Sequence, residues 1–450
     1  MDGLLSLLPG FGSVAFTVLA FIIALSVIVA IHEYGHYIVG RWSGIQADVF
    51  SVGFGPVLFA RTDSRGTQWQ VAALPLGGYV KFRGDADVAS MAQADTPGLD
   101  DEARRATMSG APLWARSATV AAGPLFNFVL SFLLFAAVLM LRGVASDPLT
   151  VEDLRPLPQE MATLEPGDAL LRIEGREVPS LDGFDAFIAD LPVAPRLDYT
   201  VNRDGAETVI EGPYPYPPLV AGVSPESAAM AAGLEAGDVI TAVNGTEIFA
   251  FDQLREAVEA TGGAPLDLEI WRPDADGGGD TLSITLEPKR TDLPLADGGF
   301  DTRWMIGVSG GFYIVPETRR PGVIEAARYG VEQTAFIVRA SLSGLYNMAT
   351  GQISSCNLRG PVSIARTSGV AASQGALSFL HFVALLSTAV GLLNLFPIPV
   401  LDGGHLVFHA YEAVSGKPPG VRVMNVLMAI GLALMGLLMV FALNNDFFCP

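Results

Sequence analysis

Residues 13–39 read SVAFTVLAFIIALSVIVAIHEYGHYIV, an apolar run that ends in a cluster of titratable side chains. A helix needs about 20 apolar residues to cross the hydrocarbon core of a membrane, so this stretch predicts a transmembrane helix. Residues 1–12 contain no Lys or Arg, and the run is longer than the core of a usual signal peptide. We therefore interpret it as a retained span that carries His32, Glu33 and His36 near its end.

Three further segments have the same character, at about 117–141, 377–396 and 423–443. Hydrophobic residues make up 50% of the chain and charged residues only 16%, a balance too apolar for an ordinary soluble enzyme. The predicted fold class is a polytopic α-helical membrane protein with about four transmembrane helices. The net charge of −20 comes largely from the region between the second and third spans, so it describes an acidic soluble domain and argues against a nucleic-acid partner.

The distribution of Lys and Arg among the loops predicts the orientation in the membrane. Both termini lack these residues, whereas the loops after the first and third spans contain them. By the positive-inside tendency those two loops are cytoplasmic, and the region from about 143 to 375 is extracytoplasmic. We expect an integral membrane protein with His32, Glu33 and His36 near the cytoplasmic side. The basic residues of the two loops include Arg41, Arg61, Arg65, Lys81, Arg83, Arg104, Arg105, Arg116, Lys417 and Arg422.

Two similar phrases between the second and third spans indicate an internal duplication. LEPGDALLRIEG covers residues 164–175, and LEAGDVITAVNG covers residues 234–245. In each, a Gly-Asp turn leads into a short apolar strand, and a helix-like segment follows, at 184–191 and 251–260. The phrases resemble those of PDZ modules, so we predict two extracytoplasmic PDZ-like α+β modules.

These features set the predicted domain boundaries. Within the region after the second module, residues 321–348 have helical spacing that suits an amphipathic helix on the membrane surface or, alternatively, a soluble packing helix. The predicted parts are a first membrane half at 1–142, PDZ-like module 1 at 143–214, PDZ-like module 2 at 215–292, a linker with the amphipathic membrane-surface segment at 293–375, and a second membrane half at 376–450.

Short runs at 57–60 and 68–74 have strand character and are bounded by glycines. They predict a membrane-associated β-hairpin after the first span, with a plain connecting loop as the alternative. The two cysteines, Cys356 and Cys449, are too few and too far apart in sequence to imply a disulfide framework. We interpret them as unpaired apolar residues.

The segment His32-Glu-Tyr-Gly-His36 carries the strongest chemical signal. Histidines four residues apart lie on one face of a helix and can direct two imidazoles at one Zn²⁺ ion. Zinc lowers the pKa of a bound water to about 7, and the Glu33 carboxylate between the histidines can take its proton as hydroxide attacks a peptide carbonyl. The alternative is a chance match, but such groups beside an apolar run are costly unless they are paired, hydrated or metal-bound.

A catalytic zinc site usually has three protein ligands, so a third must come from elsewhere. Asp402 is the best candidate, because it follows the third span and topology places it at the same membrane face as His32. Pro397 and Pro399 prevent a regular helix before it, and the glycines after it allow close backbone approach. The alternatives are a helix-end Asp near water, a second metal pair formed by His405 and His409, and His381 within the third span, which is more often a satisfied polar residue than a ligand.

Together these motifs resemble the site-2 protease family of intramembrane zinc metalloproteases, in its bacterial PDZ-containing branch of the regulator of sigma-E protease type. The resemblance covers nearly the whole chain, and it implies a location in the bacterial inner (plasma) membrane with the active site near the cytoplasmic side. It implies that His32, His36 and Asp402 bind Zn²⁺, that Glu33 is the general base, and that Asn394 contacts the substrate. The motifs are HEYGH at 32–36, LPLGGYVK at 74–81, GPLFN at 123–127 and NLFPIPVLDG at 394–403.

The resemblance also gives roles to regions outside the zinc site. The strand with Gly77, Gly78 and Tyr79 would pair with an unfolded substrate strand, since a transmembrane helix must unwind before its carbonyls can be attacked. The PDZ-like modules would act as a steric gate for substrates already cut on their outer side. Gly123, Pro124 and Asn127 are interpreted as packing residues of a kinked second span.

The predicted function is that of a zinc metalloendopeptidase that hydrolyses a peptide bond within or near the membrane span of single-span proteins. Anti-sigma-factor-like proteins and remnant signal peptides are the expected substrates, and membrane lipids are the other expected partners. One rival is a membrane-anchored scaffold whose PDZ-like modules bind exposed C-termini, but the intact Glu33 and Asp402 argue against it. A transporter is the other rival, and four spans without a repeated half make it weak.

Overall fold

A computed structural model describes residues 9–84, 100–158, 164–224, 227–274, 278–295 and 299–449. The chain divides into two compact units. The first, here called the membrane unit, comprises the chain up to Val138 together with Val323–Gly351 and Ser355–Cys449. The second, here called the strand-rich unit, comprises Leu139–Gly322 and Gln352–Ser354.

The chain contains eleven α-helices and eighteen strands among the described residues. The helices are α1 (Pro9–Trp42), α2 (Asp101–Arg105), α3 (Leu113–Arg142), α4 (Leu181–Ala189), α5 (Ala228–Ala231), α6 (Phe251–Ala260), α7 (Val323–Ala349), α8 (Pro361–Ser373), α9 (Ala376–Asn394), α10 (Asp402–Ser415) and α11 (Val421–Phe448). The strands are β1 (Ala47–Thr62), β2 (Gln68–Phe82), β3 (Val144–Ala145), β4 (Val151–Leu154), β5 (Ala169–Ile173), β6 (Arg176–Glu177), β7 (Leu197–Arg203), β8 (Ala206–Gly212), β9 (Val220–Val223), β10 (Val239–Val243), β11 (Thr246–Glu247), β12 (Leu266–Pro273), β13 (Gly279–Leu286), β14 (Lys289–Pro294), β15 (Phe300–Met305), β16 (Val308–Gly310), β17 (Ile314–Pro316) and β18 (Thr318–Arg319).

The prediction of four long apolar helices is confirmed. Among the described residues, the helices that are long and apolar enough to cross a membrane are Val14–Trp42, Leu113–Arg142, Ala376–Asn394 and Val421–Phe448. Three of these helices are longer than their predicted apolar segments. The additional turns contain polar or interfacial side chains such as Arg116 and Asn445, which a search for apolar runs leaves out.

The predicted hairpin is present, but its strands are much longer than the two runs that the sequence indicated. The segment 49–52 of β1 pairs both with the start of β2 and with its end, so the two long strands fold into a small antiparallel sheet. Gly53 and Gly55 have φ angles of +93° and +85°, which other residues adopt only with strain, and they allow β1 to bend. The glycines and prolines of this region have low strand propensity, so the sequence predicted shorter strands than the structure shows.

The strand-rich unit confirms the internal duplication. The first four-stranded sheet has the order β6-β5-β7-β8, and the second has the equivalent order β11-β10-β12-β13. Each repeat also buries the Asp of its Gly-Asp turn under an Arg: the Arg203 guanidinium donates to Asp168 at 2.7 Å, and that of Arg272 donates to Asp238 at 2.7 Å. Both carboxylates belong to residues that are only 1% exposed. That these repeats are PDZ modules stays a prediction.

The region predicted as a linker after residue 292 also contains short strands that pair with earlier parts of the chain. The strand β16 pairs with β9, β17 pairs with β4, and β18 pairs with β3. These strands have two or three residues each, too few to show a periodic pattern in the sequence. The segment before α7 therefore pairs with strands β3, β4 and β9 from earlier in the strand-rich unit.

The helix predicted at 321–348 is confirmed as α7, Val323–Ala349. One face is buried at Ala326 and Gly330, and the Gly330 position lies directly against the Phe132 carbonyl of α3. Its other face leaves apolar side chains such as Ile324, which is 86% exposed, uncovered in the described chain. The helix thus combines helix packing on one face with the apolar exposure expected of a membrane-associated segment.

The interpretation of the cysteines as unpaired is wrong. Cys356 and Cys449 form a disulfide that joins the segment after α7 to the end of α11. Asn445 donates to the carbonyl oxygen of Ser355 at 2.8 Å, and Asp446 accepts hydrogen bonds from the N–H groups of Gly360 and Val362. A separation of 93 residues hid this proximity from the sequence.

The buried Arg203–Asp168 pair predicts a pH-dependent contribution to stability. Burial alone would raise the pKa of Asp168, but hydrogen bonds from Arg203 and from the Glu165 N–H outweigh it and lower that pKa. A lowered carboxylate pKa stabilises the folded state above the unfolded pKa of about 3.9, and this contribution is lost as the pH falls through the folded pKa. We expect Arg203→Met to reduce the free energy of unfolding more near pH 7 than at pH 3, because Arg203 holds the buried Asp168 carboxylate in its charged form.

Hydrogen exchange of peptides from residues 164–212 in the full-length protein measures this effect. Arg196→Met is the matched control, because Arg196 and Glu211 are both 62% exposed and such a pair contributes less than about 1 kcal/mol. Equal changes in the two variants would show that the buried pair has no special role.

Candidate metal centre

The structure brings together the three side chains that the sequence selected as metal ligands. His32 and His36 lie one turn apart on α1, and Asp402 is the first residue of α10. The Nε2 atom of His32 is 3.1 Å from Oδ2 of Asp402 and 3.2 Å from Nε2 of His36. The Nε2 atom of His36 is 3.5 Å from the same Asp402 oxygen, and the three side chains are 11–18% exposed.

This arrangement fits a bound divalent metal ion. Four ligands around zinc at bond lengths of about 2.0–2.2 Å lie about 3.3–3.5 Å from one another, close to the distances observed here. Asp402 Oδ2 is buried and has no hydrogen-bond partner among the described residues. If both imidazole nitrogens are unprotonated, their lone pairs and the carboxylate oxygen repel one another unless a cation lies between them. Within the described chain, His32, His36 and Asp402 are the group able to hold such an ion.

A tight turn before α10 places Asp402 in this position. A Cβ atom on Gly403 would collide with the carbonyl oxygens of Leu395 and Phe396, and one on Gly404 would lie 2.5 Å from Cα of Pro399. Only glycine allows the backbone to fold back so closely over the start of the helix. The predicted irregular turn is therefore present, and the two glycines permit its close backbone approach.

Glu33 is held between the histidines and the edge of the β1–β2 sheet. Its carboxylate accepts a hydrogen bond from the backbone N–H of Val80 on β2. A Cβ atom at Gly78 would lie 3.3 Å from Cγ of Glu33 and 2.7 Å from the Ser51 carbonyl oxygen. The small residue at position 78 thus lets the sheet approach Glu33, the predicted general base.

The other predicted substrate-binding residues have mixed surroundings. Gly77 lies against the ring of Phe54, which also stacks on Tyr79 with a centroid distance of 6.1 Å. The Tyr79 hydroxyl accepts a hydrogen bond from Gln70 at 3.0 Å, so its side chain braces the sheet. Asn394 is the last residue of α9 and is partly exposed. Among the polar contacts of the described residues, none joins Asn394 to the three candidate ligands.

Helix α3 contributes contacts that the sequence reasoning missed. The backbone carbonyl of Thr119 lies 2.8 Å from Nδ1 of His36, and the Asn127 side chain lies 3.2 Å from Nδ1 of His32. The Gly123 position lies directly against the ring of His36, with 2.8 Å from its Cβ position to Cε1 of His32. The GPLFN motif was interpreted as packing only. The available signal was Asn127 itself, a polar residue four positions after Gly123 in an otherwise apolar helix.

The remaining histidines lie outside the candidate ligand group. His409 on α10 contacts the Ser117 hydroxyl at 3.2 Å, and burial together with the Arg116 guanidinium lowers the pKa of His409 to about 4. Arg116 also forms a bidentate ion pair with Glu412, at 3.0 and 2.6 Å, which fastens α10 to α3. His381 packs edge-on against Phe135, as expected for a satisfied residue within a span. In the part of the chain described, His405 and His409 do not form a second group of three ligands.

Comparison with known protein families matches residues 20–438 to peptidase family M50. The chain belongs to this family. The regulator of sigma-E protease RseP of Salmonella typhimurium is 34% identical over 465 residues, which cover 97% of this chain and 99% of that protein. The regulator of sigma E protease of Haemophilus influenzae is 32% identical over 459 residues, covering 95% of this chain and 98% of that protein. A protein of Agrobacterium fabrum named as a zinc metalloprotease is 36% identical over 437 residues, covering 95% of each chain.

Membership of M50 confirms the predicted enzyme class and cofactor. The chain is a zinc metalloprotease, and its apolar helices fit an integral membrane protein. Family and relatives together support regulated intramembrane proteolysis as its general activity. The resemblance inferred from the four sequence motifs is likewise confirmed.

Proposed function

We propose that this M50 protease cuts single-span membrane proteins within or beside their spans, with His32, His36 and Asp402 as zinc ligands and Glu33 as the general base. The convergence of three donor atoms from α1 and α10 is the observation that carries this proposal. A bound zinc ion would supply Lewis acidity, which lowers the pKa of water and polarises the scissile carbonyl. Glu33 lies beside this centre and would take the proton from the attacking water.

The β1–β2 sheet supports a way to present the substrate. Among the described residues, the segment 78–82 pairs with β1 on one side only, and Val80 of this segment donates to Glu33. A substrate span must unwind before its carbonyls become accessible, and an edge strand supplies replacement backbone hydrogen bonds. We assign Gly77, Gly78 and Tyr79 to this strand-pairing role through their backbone. Asn394, at the end of α9, would contact the substrate near the scissile bond.

The proposed orientation places both termini and the strand-rich unit outside the cytoplasm, in the bacterial inner membrane. The Cys356–Cys449 disulfide supports it, because disulfides persist in oxidising extracytoplasmic compartments and this one lies at the end of α11 that the proposal places outside. His32 and His36 lie near the C-terminal end of α1, which the proposal places beside the basic cytoplasmic loops. The PDZ-like repeats would then act as a steric gate on the outer side.

The names of the relatives point to a class of substrate. Proteins called regulators of sigma-E protease match nearly the full length of this chain. We propose that the substrates are anti-sigma-factor-like proteins after a first outer cut, or remnant signal peptides. A scaffold that only binds C-termini is the competing function.

Cleavage of a model single-span substrate by the purified, zinc-quantified protein in lipid vesicles tests the proposal. We expect a trimmed substrate to be cut within or next to its span and the same span with a bulky folded outer domain to be cut at least about tenfold more slowly, with the cleavage position determined by mass spectrometry. Chelation should abolish cleavage and added zinc should restore it. A folded, zinc-loaded chain that binds trimmed substrates without cutting any of them would favour the scaffold instead.

A further inference from the structure

The Asn127 side chain is the one polar contact to the far nitrogen of His32 in the described chain, and it is completely buried. Its amide nitrogen Nδ2 lies 3.2 Å from Nδ1 of His32, while its oxygen Oδ1 has no hydrogen-bond partner among the described residues. A buried polar atom without a partner costs about 1–3 kcal/mol. An amide in an apolar helix therefore calls for an explanation beyond packing.

The chemistry of a metal-binding imidazole determines what His32 needs. Its Nε2 atom is directed at Asp402 and His36, so this nitrogen must carry a free lone pair if it is to bind a cation. The proton of the neutral ring is then on Nδ1, and that N–H requires an acceptor. Turning the Asn127 amide by half a turn places Oδ1 against Nδ1, so that the oxygen accepts this bond and the NH₂ group takes its former place.

His36 shows the same device with a backbone group. Its Nδ1 atom lies 2.8 Å from the carbonyl oxygen of Thr119, which can only accept, so a neutral His36 ring carries its proton on Nδ1 and leaves Nε2 free. Both histidines of α1 are therefore contacted by α3 at the nitrogen that faces away from the candidate metal. The Thr119 carbonyl accepts the Nδ1–H bond of His36, and the orientation of the Asn127 amide decides whether that of His32 is also accepted.

The surroundings hold Asn127 in place. Its backbone carbonyl accepts hydrogen bonds from the hydroxyls of Ser131 at 3.0 Å and Ser387 at 2.9 Å. On α9, the Cβ position of Gly391 lies 3.1 Å from Cβ of Asn127. These contacts fix the backbone and Cβ of Asn127 from α3 and α9, and a residue that orients a ligand requires such rigidity.

We propose that Asn127 is a positioning residue that accepts the Nδ1–H bond of His32 and so holds Nε2 in the form that binds zinc. The proposal rests on the ligand set given under Proposed function. It assigns the buried amide of the GPLFN motif to the metal centre rather than to helix packing alone. The affinity for Zn²⁺ measures this role directly, without reference to proteolysis.

Competition with a chromogenic chelator tests the proposal on the full-length protein in detergent. We expect Asn127→Leu, which keeps the volume but removes the acceptor, to weaken zinc binding by about 10- to 100-fold. Asn127→Asp keeps an acceptor oxygen and should bind zinc within about threefold of the unaltered chain. Asn127→Ser is too short to reach His32 and should repeat the loss, which gives a second measurement if the leucine variant folds poorly.

Asn347→Leu is the matched control, because Asn347 is also a buried helix Asn of the membrane unit, and its amide donates to Ser343. Its affinity for zinc should not change. Unaltered affinity in Asn127→Leu, or an equal loss in Asn127→Asp, would overturn the positioning role while leaving the ligand set intact. Failure of the unaltered chain to bind Zn²⁺ at all would instead remove the ligand set, and this inference with it.

Discussion

Replacing Glu33 by Gln should reduce the rate of substrate cleavage by about 10²- to 10⁴-fold while the protein keeps its zinc. The amide has nearly the shape of the carboxylate and can still accept the hydrogen bond from the Val80 N–H, so the sheet should remain against α1. What the amide cannot do is take a proton from the attacking water. Since Glu33 is outside the candidate ligand group, its loss should leave the metal content unchanged.

Single-turnover cleavage of a trimmed single-span substrate, with zinc measured on the same sample, tests this expectation. Glu332→Gln is the matched control: it makes the same substitution on α7 of the membrane unit, where Glu332 forms an exposed pair with Arg328. The control should cleave within about twofold of the unaltered protein, because exposed pairs contribute little. Cleavage by Glu33→Gln within tenfold of normal would place the base elsewhere, and simultaneous loss of zinc would make Glu33 a ligand instead.

The membrane spans and the catalytic motif were predictable because each depends on local spacing. Apolar runs determine helices in a membrane, and histidines four apart must share a helix face whatever surrounds them. Asp402 lies far along the chain from His32, and the sequence could select it only through its irregular Pro-Gly turn and the topology of the spans. The structure then brings their side chains to 3.1 Å.

The missed features depend on long-range contacts that no local pattern encodes. Asn127 and Thr119 acquire their roles only because Gly35 lets the two helices approach: a Cβ there would lie 2.5 Å from the Ala122 carbonyl oxygen. The short strands β16, β17 and β18 form through pairing with strands that lie far earlier in the chain. Cys449 contacts Cys356 because α11 ends beside the segment after α7. Tertiary packing decided each of these, which is why propensity and periodicity did not indicate them.

Asp402→Ala should remove the metal and, with it, all measurable proteolysis. The substitution leaves two imidazoles, where a catalytic zinc site usually has three protein ligands. Loss of an outer-shell partner already costs 10- to 100-fold in metal affinity, so loss of a ligand should weaken zinc binding by at least about 100-fold. Chelator competition on the purified variant measures the change, and its circular dichroism should remain that of the unaltered helical protein.

Asp446→Ala separates ligand loss from general destabilisation. Asp446 accepts hydrogen bonds from the N–H groups of Gly360 and Val362 at 2.8 and 2.9 Å, so its removal should loosen the start of α8 and lower the melting temperature. Because Asp446 is outside the candidate ligand group, the folded fraction of that variant should still hold zinc. If Asp402→Ala bound zinc as tightly as Asp446→Ala, the carboxylate at the start of α10 would not be a ligand. A third donor would then have to come from a different part of the chain, and the 3.1 Å approach of Asp402 to His32 would be an ion pair only.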